Sequence, residues 1–289
     1  MLDGIKILAP AKINIGLCVL PKRADGFHNI ESIFQTVGLY DVLKVTLSEQ
    51  KNTCVVRCGN VLLEQNNTIT LTYNTFCHLT GCSSGVVVDL EKHIPMGAGL
   101  GGGSSDAAYF LKALACLNKV ELTDSLADQV ASQVGSDVFF FLHSGEGKNK
   151  KGCAIVTGRG EFVRRILPRE DLFFLLIFPE VHSSTKEAYE LVDRSYEAGS
   201  KSPCPNLAEL ESVYNGPVQK WTFVNSFTSV LVQKYAVIGK ALQDIKMSGA
   251  LWADMSGSGS TVFGVFSSKE EAQRAQVLLK KSWNHCVLA

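Results

Sequence analysis

The chain has 289 residues, 46% of them hydrophobic and 19% charged, which suits a packed core in one large domain or two medium ones and excludes disorder. Its 28 Lys and Arg balance 28 Asp and Glu, so it lacks the basic excess with which a general nucleic-acid binder displaces counterions. A local basic pocket for a phosphate remains compatible with that balance. The opening run MLDGIKILAPAKI has no basic start followed by a long apolar stretch and does not read as a signal peptide. The most apolar run, Leu172 to Phe178, is far too short to span a bilayer. The expectation is a soluble cytoplasmic protein with neither a nucleic-acid nor a membrane partner. Its oligomeric state is not readable. Nine cysteines, scattered and without a CxxC pair, read as reduced thiols. Cys54, Cys58, Cys77, His78, Cys82 and His93 make a poor zinc set, because Cys54 and Cys58 on one strand would stand ~13 Å apart.

In chain order, β-branched runs predict strands at Ile5 to Leu8, Ile13 to Leu20, Ile33 to Leu39, Val42 to Leu47 and Val86 to Leu90, with a helix at Thr68 to Leu79 among them. Helical spacing of Ala107, Leu111, Leu114 and Leu117 predicts a helix over Asp106 to Leu117, and Thr123 opens another. Strands are expected at Val138 to Leu142 and Ala154 to Val156. The basic stretch GEGKNKKG between them, residues 145 to 152, reads as a solvated hairpin tip or mobile loop. Then come a buried strand at Leu172 to Phe178, a helix at Thr185 to Val192, a loop at 199 to 205, and helices near Phe227 to Leu242 and Glu270 to Lys280. The last two flank a strand–turn–strand unit, Ala250 to Phe266. Strands and helices mix without strict alternation, so the fold class is α+β, with a boundary near residue 160 dividing 1–160 from 161–289.

The sharpest feature is Pro95-Met96-Gly97-Ala98-Gly99-Leu100-Gly101-Gly102-Gly103-Ser104-Ser105, which leads into the helix at Asp106. So many glycines replace side chains with bare backbone, which admits positive φ and lets an anion approach the N–H groups. Ser104 or Ser105 is expected to cap the following helix, whose free amides and positive end form an anion site. Gly97-x-Gly99-x-x-Gly102 matches the dinucleotide fingerprint in letters only. Pro95 and Met96 part it from the strand, and no strand ending in an acid follows ~20 residues on. A Walker A loop needs lysine before Ser104, where glycine stands, and the HRD and DFG companions of protein kinases are absent. A flexible linker does not lead into an apolar helix.

Three blocks, PAKINIGLCVLPKRADGFHNIESIFQ from Pro10 to Gln35, PMGAGLGGGSSDAA from Pro95 to Ala108 and MSGSGSTVFGVF from Met255 to Phe266, together resemble the GHMP kinases. The resemblance spans nearly the whole chain. PAKIN with RADGFH narrows it to the branch that phosphorylates a cytidylated sugar alcohol. The resemblance implies a ribosomal-protein-S5-like N-terminal ATP domain, a ferredoxin-like C-terminal domain, a small-molecule substrate between them, and ATP with Mg2+ as phosphoryl donor. The magnesium ligands are left open. Rival readings are a GHMP kinase for homoserine or a mevalonate derivative, and a non-catalytic nucleotide- or RNA-binding module on the same fold.

The resemblance makes Lys12 the positive charge beside the incoming hydroxyl and Asp137 the acceptor of its proton. Two residues after Asp137 this chain has Phe139, where the family usually has proline. Asn14 shares the strand face of Lys12 and is a candidate ligand for a substrate phosphate oxygen. Phe27 would stack on the cytosine and His28 would hydrogen-bond its edge. Thr185 and Tyr189 match the spacing of a second aromatic clamp, although helix packing would equally explain Tyr189. Ser256-Gly257-Ser258-Gly259-Ser260 is a tight turn, in which Gly257 and Ser258 would brace the phosphate loop and the substrate tail.

Overall fold

The computed structural model describes residues 4–59, 67–145, 151–200 and 203–289. They fall into two compact units, each discontinuous in sequence. The first holds the chain up to Ala11, Leu39–Met96 and Gly101–Gly145, and the second holds Lys12–Gly38, Gly97–Leu100 and the chain beyond Gly145. Four expected strands are in fact two long ones, β1 (Ile5–Lys22) and β2 (His28–Ser48). Pro10 does not break β1, because the fixed φ of proline suits extended chain and only its N–H is lost.

In the first unit β3 (Cys54–Arg57) runs parallel to β4 (Gly85–Glu91). β4 in turn pairs antiparallel with the second half of β2, from Val42↔Glu91 to Ser48↔Gly85. Helices α1 (Thr68–Thr80), α2 (Gly102–Leu117), α3 (Asp124–Val134) and α4 (Ser136–His143) complete the unit. Asn67 caps α1 by accepting from the Thr70 amide at 2.7 Å, and Thr123 caps α3. Leu43, Val45, Val86 and Val88 of the strands share one core with Tyr73 and Phe76 of α1 and with Phe110, Leu111 and Leu114 of α2.

Two sequence expectations are corrected here. Helix α2 begins at Gly102, four residues before Asp106. Its N-cap is Gly101 at φ 68°, with no side chain capping it, so Ser104 and Ser105 lie inside the first turn. Val138 to Leu142 is helical, not a strand. A short unbroken apolar run carries no period to tell the two apart, and α4 uses it to bury Val138, Phe140 and Phe141. The hairpin tip or mobile loop expected at 145–152 falls mostly outside the described residues, which omit 146–150; α4 is the last element described before it and a strand from Cys153 the first after it.

In the second unit the first half of β2 pairs antiparallel with β5 (Cys153–Gly158), from Ile30↔Gly158 to Gln35↔Cys153, and β5 pairs with β6 (Phe162–Arg165). A separate antiparallel sheet is built from β7 (Phe173–Ile177), β8 (Trp252–Met255), β9 (Val262–Phe266) and β10 (Cys286–Leu288) in the order β10-β7-β9-β8. Between β7 and β8 run α5 (Thr185–Glu197), α6 (Leu210–Asn215), α7 (Ser226–Lys234) and α8 (Ala236–Met247), and α9 (Lys269–Leu279) joins β9 to β10. That order is the ferredoxin-like pattern of split βαβ units. The helix expected over Phe227 to Leu242 is two, parted at Tyr235, whose backbone is not helical. Leu175, Phe227, Leu231, Ile238, Ile245 and Phe266 form the core beneath this sheet. Among the described residues no helix is long and apolar enough to cross a membrane.

The cysteines also differ from the expectation. Cys18 on β1 is bonded to Cys204, 186 residues away, with their Cα atoms 5.9 Å apart. Sequence spacing carries no trace of a partner so remote. Unreduced, denatured protein should titrate seven thiols, rising to nine after reduction. Cys18→Ser should lower stability by about 2–4 kcal/mol in oxidising buffer and by much less under reductant. Nine thiols without reduction would refute the bond.

Candidate active site

The glycine stretch makes two different structures in succession. Residues 97–100 are a loop of the second unit, in which Gly97 and Gly99 adopt φ of 64° and 77°. That loop is tied to β1, where the Lys12 amide donates to the Leu100 carbonyl at 2.9 Å, and to β9, where the Thr261 amide donates to the Ala98 carbonyl at 3.2 Å. It is tied as well to the turn at 256–260. The Ser256 hydroxyl donates to the Gly99 carbonyl at 2.9 Å and accepts from the Asn14 amide at 3.2 Å. A Cβ on Gly99 would lie 2.0 Å from the Ser256 carbonyl oxygen.

From Gly101 onward the stretch belongs to the first unit and becomes the start of α2. Sixteen residues of aligned peptide dipoles end there in amides that no side chain caps, the physical form of an anion site. A Cβ on Gly102 would come within 2.9 Å of Ile94 Cγ2, whereas one on Gly103 would meet nothing nearer than Thr68 Oγ1 at 3.6 Å. Pro95 and Met96 precede the loop in the first unit, with Met96 exposed.

Lys12 is 3% exposed, yet charged side chains are almost never buried without a partner. Its Nζ donates to Asn14 Oδ1 at 2.7 Å and lies 4.5 Å above the Phe34 ring centroid. Asn14 is fully buried and gives its amide nitrogen to the Ser32 hydroxyl at 3.2 Å. The 256–260 turn is held from beneath by Asn225, which donates to the carbonyls of Met255 and Gly257 at 2.7 and 2.8 Å. Asp254 accepts from the amides of Asn225 and Met255 and from the Thr228 hydroxyl. Burial nevertheless pushes its pKa up to about 6.

A second cluster in the same unit surrounds His28. Its Nδ1 lies 2.9 Å from the Leu20 carbonyl, which only accepts, so Nδ1 carries a proton. Nε2 faces the Asp193 carboxylate at 3.3 Å. The ring stacks on Tyr189 at a centroid distance of 5.0 Å, and Tyr189 meets Phe227 edge-on at 4.9 Å. Phe27 is 52% exposed, with the Arg159 guanidinium 4.8 Å from its ring centroid. Thr185 and Ser258 hydroxyls lie 2.8 Å apart.

Thus Lys12, Asn14, Phe27, His28, Thr185, Tyr189, Gly257 and Ser258 all belong to the second unit. Asp137 belongs to the first, half-buried in the opening turn of α4. Sequence reading passed over Ser32, Asp193, Arg159, Asn225 and Lys92. Only Asp193 had a signal, since it stands four residues after Tyr189 and so shares its helix face. Among the described residues no three His, Cys, Asp or Glu side chains are grouped to hold a metal ion.

A buried lysine beside a glycine loop with no room for side chains, and separately a helix start that no side chain caps, are features of the kind that enzymes handling phosphate use. The comparisons agree. Residues 67–145 match the family described as GHMP kinases N terminal domain, and residues 216–285 match GHMP kinases C terminal. The chain is 37% identical to 4-diphosphocytidyl-2-C-methyl-D-erythritol kinase of Treponema pallidum (strain Nichols), over 99% of this chain and 98% of that one. It is also 37% identical to the kinase of that name from Thermotoga maritima, over 90% of this chain and 92% of that one. A solved 4-(cytidine 5'-diphospho)-2C-methyl-D-erythritol kinase superposes with a TM-score of 0.82 at 28% identity, covering 98% of both chains. The homoserine kinase of Cytophaga hutchinsonii shares the fold, with a TM-score of 0.71 at 20% identity, covering all of this chain and 94% of that one. The chain belongs to the GHMP kinases.

Two neighbouring glycines separate the demands of the cradle. Gly99→Ala meets both a positive φ and the Ser256 carbonyl and should cost about 2–4 kcal/mol in urea unfolding. Gly103→Ala has room and improves helix propensity, so its stability should stay within about 1 kcal/mol of wild type. Equal effects of the two would contradict this account.

Proposed function

We propose that the chain transfers the γ-phosphate of ATP to the 2-hydroxyl of 4-diphosphocytidyl-2-C-methyl-D-erythritol, the compound in its relatives' name, giving the 2-phosphate and ADP. The observation that carries the reading is the Cβ-free loop, pinned between β1 and the 256–260 turn, with a buried lysine at its edge. That arrangement is suited to a polyphosphate and leaves no room for a side chain at Gly99.

Within the stretch from Pro95 to Ser105 the free backbone amides hold the nucleotide phosphates, with the start of α2 facing their charge. Magnesium, bound together with the nucleotide, supplies charge neutralisation on those phosphates. Lys12 offsets negative charge on the transferring group, and its partner Asn14 fixes the direction of the ammonium. Asp137 orients the hydroxyl and takes its proton late, as the oxygen bonds to phosphorus, because a carboxylate is too weak a base to ionise an alcohol beforehand.

For the cytidyl end, the Leu20 carbonyl holds a proton on His28 Nδ1 and so fixes the ring, with Nε2 on the side of the Asp193 carboxylate. The base edge that His28 would read differs between pyrimidines, an exocyclic amine in cytosine and a carbonyl in uracil. Phe27, exposed and planar, offers a stacking face, and Tyr189 buttresses the imidazole.

The direct test is ADP release with and without the cytidylated substrate. Release only in its presence is expected, whereas release with homoserine or mevalonate instead would favour another member of the family. Asp137→Asn should lower kcat by at least about a hundredfold with MgATP affinity retained. Near-normal turnover would remove Asp137 from the chemistry. In competition assays His28→Ala should weaken a cytidylated analogue more than a uridylated one, and Tyr189→Ala should weaken both alike. An unchanged cytosine preference in His28→Ala would assign base reading to the backbone.

A further inference from the structure

Beneath the start of α2 the first unit buries three charges in one contact. Lys92, directly after β4, has a side chain 18% exposed, and its Nζ donates to Asp41 Oδ2 and, at 2.8 Å, to Asp106 Oδ2. The two aspartates are 0% and 2% exposed. Two buried carboxylates against one ammonium leave one negative charge uncompensated, which is costly unless a proton joins.

The hydrogen bonds decide where that proton goes. Asp41 accepts from the amides of His93 and Ile94 at 2.6 and 2.9 Å on one oxygen and from Lys92 on the other, so its carboxylate is fully met as an anion. Asp106 has Lys92 on Oδ2, while its Oδ1 is buried without a partner among the described residues, as is the neighbouring Ser105 hydroxyl. Asp106 stands four residues after Gly102 and three after Gly103, about 6 Å along the axis from the open amides. Lys92 Nζ lies 3.4 Å from where a Cβ on Gly102 would be. A negative Asp106 therefore opposes any anion drawn to this helix start, and a neutral one does not.

We infer that Asp106 is a positioning residue whose proton is linked to the nucleotide: MgATP binding at the start of α2 draws one proton from solvent onto the Asp106 carboxylate, while Lys92 and Asp41 stay paired as ions. The inference rests on the kinase reading above. The reaction is carboxylate plus proton giving carboxylic acid, with no other bond made or broken. Facing Asp106 are Lys92 from the end of β4 and Asp41 from β2. Of the helices packed in this unit, α1 brings His78, α3 Asp124 and Asp128, and α4 Asp137 and His143, but the charges acting on Asp106 are Lys92 and Asp41. In the free protein burial raises the Asp106 pKa to about 7, against the pull of Lys92 and with the push of Asp41. Burial also works against the charge of Lys92, but the two carboxylates outweigh it and hold its pKa above the ordinary lysine value.

The sign follows from that. Below about pH 7 Asp106 is already neutral and MgATP affinity is level. Above it each binding event must also recruit a proton, so affinity falls with pH, by up to about tenfold per unit. The experiment is MgATP titration calorimetry from pH 6 to 9 on wild type and Asp106→Asn, with each pH repeated in two buffers of different ionisation enthalpy. Wild type should lose about threefold to tenfold in affinity between pH 7 and 8.5 relative to Asp106→Asn, and should take up a fraction of a proton per nucleotide at pH 8 that the variant does not. Parallel pH profiles with MgATP bound to both would overturn the inference and leave the kinase reading standing. No MgATP binding to wild type at any pH would overturn both. Should Asp106→Asn not fold, the wild-type buffer pair decides alone, and zero uptake at pH 8 sinks the inference.

Discussion

The site depends on backbone approaching backbone at Gly99. The Ser256 carbonyl sits where any other residue would carry its Cβ, and the Ser256 hydroxyl turns back to hold the Gly99 carbonyl. That contact requires glycine twice over, for the space and for φ of 77°. From it follow the pinning of residues 97–100 between β1 and β9 and the proximity of Asn14 to Gly257, where a Cβ would come within 3.4 Å of Asn14 Oδ1. Lys12 leaves β1 on the face that Asn14 shares, so the loop and the lysine are set by one strand.

Buried charge is the second theme. Lys12 is met within its own unit by the Asn14 amide oxygen and by the face of the Phe34 ring. Asp254 is the opposite case: three donors meet it, and it serves to hold the turn that holds the glycine loop. Lys92 lies between these, paired twice over and placed beside the helix start. Each unit thus couples a fixed backbone geometry to a buried ionic group. A surface pair would contribute little to such rigidity, because water and salt screen it.

Much of this was legible in the letters. The run of glycines from Gly97 to Gly103 announces bare backbone and positive φ, and a helix must follow because Ala107, Leu111, Leu114 and Leu117 repeat at helical spacing. The caps at Asn67 and Thr123 obey local rules. What misled were segments whose local chemistry is neutral. Val138 to Leu142 has no period, and packing in the first unit made it a helix. Ser104 and Ser105 have the right chemistry for a cap, but glycine tolerates the left-handed geometry at Gly101 and the helix starts earlier.

The sequence by itself determined the α+β class, the family, and the glycine run that leads into a helix. These are properties of composition, period and local turn chemistry, which act over a few residues. Only the tertiary structure decided the bond between Cys18 and Cys204, the proton on His28 Nδ1, the partner of Lys12, and the meeting of Asp41, Lys92 and Asp106 under the helix start. Those are contacts between residues 2 to 186 positions apart, made on particular strand faces and helix turns. No local rule encodes them, since a pair's energy exists only once the chain has brought both groups out of water together.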